Sequence, residues 1–177
     1  MTLSDLRARF LRNSLLEEQA FLFVFEIFHL KKLLAESNLG LAHNDFVSLL
    51  HAETIFELCL ILDNVIRKKN PANGQYIDHL AFLSSMMSLN LTKDRLGKIN
   101  GCFKNDFPKK LTDLLRSQYT SPDGANIQGI EEDLVITYGL RNFGAHEIQN
   151  QPEISNNLEA IVQRCMNSIF FTITSLY

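Results

Sequence analysis

The segment Leu140-Arg141-Asn142-Phe143-Gly144-Ala145-His146 joins a cation that does not deprotonate to a side chain that titrates near neutrality. Cleavage of RNA by its own 2′-hydroxyl has three needs: a base for that hydroxyl, an acid for the departing 5′-oxygen, and positive charge on the crowded phosphorus centre. An imidazole near its reference pKa of about 6.5 serves as base or acid, and a guanidinium holds two phosphate oxygens in its fork. The products would be a 2′,3′-cyclic phosphate and a 5′-hydroxyl, with no metal involved. Positions five apart on an ideal helix point about 140° from each other. Arg141 and His146 therefore converge within one chain only if the backbone bends between them, and the helix is expected to break at Gly144.

Glu53 and Glu57 stand one turn apart in a long helical stretch, with Asn64 further along the same polar stripe. Two roles are open for them: partners that hold Arg141 or orient His146, or the solvent-facing edge of a half-buried helix. Asn142 either hydrogen-bonds substrate or caps its own helix end. The structural alternative for Arg141 is an ion pair with Glu53 or Glu57, and for His146 a helix-end histidine meeting free carbonyls.

The elements that must position these residues are helical throughout. Helical spacing dominates, no hairpin signal appears, and the Asn, Gly and Pro clusters are too short to be interdomain linkers. A short helix is expected over Ser4 to Arg12. A second starts at the Ser14/Glu17 capping box, runs to about Glu36 and stops at Ser37-Asn38-Leu39-Gly40. A third, central by its length and wide apolar face, runs from Asn44 or Asp45 to Lys69. Shorter peripheral helices cover Tyr76 to Leu89, Thr92 to about Asn100 and Asp106 to Gln118, with Thr92 and Asp106 as N-caps. After a loop over Tyr119 to Asn126, a helix over Ile127 to Phe143 carries Glu131, Glu132 and Asp133 in its first turns, and a last one runs from about Pro152 to the C-terminus. The expectation is an all-α bundle of four long helices in one domain, with residues 1–41 an N-terminal extension or dimerisation part and 42–177 the core.

Arg141-Asn142, three residues and His146, set between two C-terminal helices, resemble the motif of HEPN domains. These are helical bundles whose nuclease members carry Arg, often Asn, three to five further residues and His. The resemblance spans about residues 42–177. It implies a homodimer whose two motifs meet in one composite site across a two-fold axis, with Arg141 and His146 catalytic and an acidic or amide residue of the third helix as partner. It also implies metal-independent endoribonuclease activity on single-stranded or loop RNA in antiviral defence, a toxin system or a CRISPR-ancillary effector. Glu147-Ile148 follow the His, where members paired with nucleotidyltransferase antitoxins have a Tyr two residues on. No strand-helix alternation supplies a cyclic-oligonucleotide sensor, so an activating or sensor partner would be another chain. Two other functions fit the same residues: an inactive HEPN-like interaction module, and a nucleotide-binding regulator in which Arg141 holds phosphate without cleaving.

Composition narrows the classes. The 177 residues suit one domain, and a net charge of −3 gives no general attraction to nucleic acid, so RNA contact must be local. Lys31-Lys32, Arg67-Lys68-Lys69 and the group Lys98, Lys104, Lys109, Lys110 and Arg116 form either a basic groove or solvated helix ends. Cys59, Cys102 and Cys165, scattered and odd in number, read as buried thiols in the cytoplasm. The start of the chain lacks a signal peptide, and the apolar run Ala20 to Leu30 is too short for a membrane. His29, His43, His51 and His79 lack zinc spacing, and no phosphate-binding glycine loop occurs, so neither metal nor cofactor is expected. Phe21, Phe23, Phe25 and Phe28 lie among apolar neighbours, which points to core or dimer packing and not to base stacking.

Overall fold

A computed structural model describes residues 8, 16–37, 44–70, 74–147 and 152–177, and the side chains of these except 17, 30, 33–37, 44–50, 144–147, 152 and 155. The expected first helix and the Ser14 cap fall outside the described residues. The fold is all-α: α1 (Glu17–Ser37), α2 (Asn44–Arg67), α3 (Tyr76–Met86), α4 (Lys93–Leu115), α5 (Ile130–Glu147), α6 (Pro152–Asn156) and α7 (Leu158–Leu176). Among the described residues there is no strand; one isolated bridge joins Thr120 and Asn126 across the loop before α5.

Two helices organise the core. α2 buries Ile55, Leu58, Cys59, Leu62, Val65 and Ile66, the three-and-four spacing of one helical face, and packs against α1, α5 and α7. α5 is buried on every side in its middle, from Leu134 through Leu140, because α2, α4 and α7 surround it. Thr137 there donates to the Leu134 carbonyl at 2.8 Å and accepts from the Tyr76 hydroxyl at 3.2 Å, so its hydroxyl is not stranded. At Gly139 the rings of α4 press against the backbone of α5. A Cβ there would lie 2.5 Å from Phe107 and 2.8 Å from Phe103, so only glycine lets the rings of α4 approach α5 this closely.

Three expectations need correction. The segments placed at Thr92 to Asn100 and Asp106 to Gln118 are not separate peripheral helices but one kinked α4. Thr92 does cap it, accepting from the Arg95 N–H at 3.3 Å. Asp106 takes extended backbone (φ −165°) and its carboxylate accepts from the Lys109 N–H at 3.4 Å. It thus caps the second half, where Pro108 falls in a first turn that tolerates proline. No residues remain between the halves for a loop, and Leu96, Ile99, Phe103, Phe107, Leu111 and Leu114 are buried, which makes α4 a fifth long helix of the core. The last helix is broken at Asn157, whose side chain donates to the Glu153 carbonyl at 2.6 Å and leaves α6 as one short turn. Finally, α5 does not break at Gly144 but continues to Glu147. Glycine permits a bend without requiring one. Its cost in a helix, about 1 kcal/mol against alanine, is one that the flanking helix formers absorb.

Candidate functional site

Arg141 leaves α5 on the side that faces α2. Its guanidinium lies over the Phe56 ring, 4.9 Å from the centroid, and its Nε is buried without a hydrogen-bond partner. Among the described residues none of the ion pairs includes Arg141. Its charge is therefore held by an aromatic face, with no counter-charge among the described residues, an arrangement suited to an external anion.

Glu53 and Glu57 flank Phe56 in sequence but do not pair with Arg141. Glu53 is exposed and Glu57 half-buried. Burial pushes the Glu57 carboxyl above the ordinary carboxylate range, and the Glu53 charge adds to the shift. The helix α1 contributes a third carboxyl that the sequence did not single out. Glu26 is raised by burial and by the nearby charges of Glu57 and Glu53, against a lowering by His29, whose Nδ1 is 3.9 Å from it. The α1–α2 seam thus carries an acidic edge.

Asn142 points the other way, towards α4, since neighbouring positions on a helix are about 100° apart. Its amide donates to Asn100 Oδ1 at 3.3 Å and also bonds the Tyr138 hydroxyl, whose pKa is raised by burial and partly restored by that bond. These residues line a cleft of about 320 Å³ that also includes Lys104, Phe143, Gln75 at the cap of α3, and its first residues Tyr76 and Ile77. Phe143 forms its wall, stacked on Phe107 at 5.5 Å and edge-on to Phe103 at 6.1 Å. An exposed ammonium, three amides and two tyrosines around such a volume suit one nucleotide-sized polar ligand. Lys104 is the member of the expected basic group that reaches the cleft; Lys98 is engaged by Asp94 at 2.7 Å.

His146 lies on the last turn of α5, and its side chain is outside the described residues. With the helix unbroken, positions 141 and 146 diverge by about 140°, so one chain does not turn both side chains towards one phosphate. Two other histidines are buried. His79 Nδ1 is 2.6 Å from Asp63 Oδ1, a tie between α3 and α2. His51 on α2 has no partner at either ring nitrogen, and burial lowers its pKa; one turn on, the buried Thr54 hydroxyl is also without a partner.

Among the described residues no group of three His, Cys, Asp or Glu is placed to hold a metal, and no helix is long and apolar enough to cross a membrane. Compared with protein-family models, with curated proteins and with solved structures, the chain matches none.

Proposed function

We propose that the chain is a metal-independent, HEPN-type endoribonuclease acting as a homodimer on single-stranded or loop RNA in the cytoplasm, in antiviral defence or a toxin system. The observation that carries this is the half-buried Arg141 guanidinium, stacked on Phe56, without a carboxylate partner among the described residues and one residue from a cleft with a lysine and amides. The scissile phosphate would sit on Arg141. His146 would take the 2′-hydroxyl proton and a protonated His146 would return one to the 5′-oxygen, giving cyclic-phosphate and 5′-hydroxyl ends. Asn142 and Lys104 would hold the neighbouring nucleotide.

The uninterrupted α5 makes a composite site the natural arrangement, with Arg141 from one copy and His146 from the other. Cleavage of an end-labelled unstructured RNA at neutral pH in EDTA tests it. Wild type should cut, and Arg141→Ala and His146→Ala should each be inactive. Mixing the two dead variants should restore about a quarter of the wild-type rate, because half of the randomly paired dimers keep one of two intact sites. A dead mixture would place both groups in one chain, and activity in Arg141→Ala would sink the assignment. The same unbroken helix favours a second function, an interaction module in which these residues only build a protein surface; a folded wild type that never cuts RNA would select it.

A further inference from the structure

Helix α1 is apolar on both sides. Leu16, just before it, and Ala20 on its inner side belong to the core, and Phe23 packs edge-on against Phe170 of α7 at 5.6 Å. Its outer side shows Phe21 at 74% exposure, Val24 at 67%, Phe25 at 55% and Phe28 at 71%. These fall at one-turn spacing and form a single stripe. A helix apolar all round is normally buried all round. At about 150–250 Å² for each aromatic side chain, the stripe offers roughly 500 Å² per copy, so two stripes face to face remove roughly 1,000 Å², the threshold of a specific interface.

The charges at its ends say what covers it. Reading outwards from the point between Val24 and Phe25, Phe21 on one side is matched by Phe28 on the other, Glu18 by Lys31 and Glu17 by Lys32. The sequence is self-complementary about its midpoint, apolar within and opposite in sign at the two ends. Glu18 is 75% exposed, with one distant ion pair to Lys68 at 4.0 Å, and Lys31 and Lys32 are exposed. An antiparallel partner helix of the same sequence sets Phe on Phe and Glu on Lys at both ends. A parallel one sets Glu on Glu and Lys on Lys.

We propose that α1 is a self-association face, packing antiparallel on α1 of a second copy about a two-fold axis between Val24 and Phe25. The interface is isologous, so every contact occurs twice. It stands on α1 alone and holds whether or not Arg141 binds RNA, so the cleavage assay and the association measurement succeed or fail separately.

Sedimentation equilibrium of the full chain tests it, with circular dichroism to check that each variant folds. Wild type should dimerise at micromolar concentration. Glu17→Lys/Glu18→Lys and Lys31→Glu/Lys32→Glu should each weaken dimerisation by at least about tenfold, since both ends then repel. An equimolar mixture of the two, and the chain carrying all four changes, should recover it. Three outcomes would overturn the inference. One is a wild type that stays monomeric to about 100 μM. Another is a dimer indifferent to the single-ended charge swaps. The third is a monomer whose melting temperature falls on Phe21→Ser/Phe28→Ser, which would assign the stripe to residues 1–15 of its own chain.

Discussion

The two ends of α5 use the same kinds of side chain in opposite ways. At the N-terminal end every charge is engaged. Glu131 accepts from the Asn90 N–H at 2.6 Å and faces Arg95, Glu132 accepts from Ser117 at 3.0 Å, and Asp133 meets Arg164 at 2.7 Å and Asn167 at 3.0 Å. Arg95 is itself buried, paired with Asp123 at 3.0 Å, and donates to the carbonyls of Asn90, Ala125 and Asn126, which fastens the loop before α5. At the C-terminal end Arg141 has an aromatic ring and, among the described residues, no counter-charge, and Asn142 edges a cleft. A guanidinium surrounded by carboxylates and carbonyls is committed to structure. One resting on a ring keeps its electrostatic capacity for something outside the fold.

The contrast is sharpest in stability. Arg95→Ala strands half-buried Glu131 and the loop carbonyls and should cost about 3–5 kcal/mol in urea unfolding, whereas Arg141→Ala should cost under about 1 kcal/mol. Equal losses would mean that Arg141 is structural too, and the contrast would collapse. Next in size is glycine. Gly139→Ala forces the Phe103 and Phe107 rings aside and should cost about 1–3 kcal/mol, while Gly144→Ala, in the same helix, should be neutral or stabilise by up to about 1 kcal/mol. A destabilised Gly144→Ala would restore the bend that the sequence suggested.

The smallest effects are in pH. The Glu57 carboxyl is raised in the fold, so the native state holds its proton more readily than the unfolded chain, and stability falls as pH rises through the folded value. Glu57→Gln should therefore stabilise at pH 7, by less than about 1 kcal/mol, with the gain gone below its ordinary value of 4.5. His51 has the opposite sign. Its lowered pKa keeps it neutral in the fold, so stability falls as pH drops below 6.5, and His51→Phe should flatten that slope. Thermal melts from pH 4 to pH 8 read both.

Apolar spacing made α2 and the face of α7 legible, and capping chemistry located Thr92 and Asp106, because both are properties of neighbours in the chain. The fusion of two segments into α4 was not legible: whether Asp106 starts a new helix or kinks an old one depends on how Phe103 and Phe107 lie against Gly139. Gly144 misled for a related reason, since glycine marks where a helix is allowed to stop and burial decides whether it does. Arg141 and Asn142 stood out by type. Their surroundings did not, because Phe56 looked like any core aromatic, and Asn100, Lys104 and Gln75 meet only through the packing of α3, α4 and α5.

The three cysteines divide in a way that gives the chain its own reporter. Cys59 and Cys165 are buried free thiols lying side by side between α2 and α7, while Cys102 on α4 is half-exposed. A thiol-reactive dye would mark Cys102 promptly and reach the other two only when α2 and α7 part. The delay between the first and the later labels then times the opening of the molecule's centre, with no probe added to it.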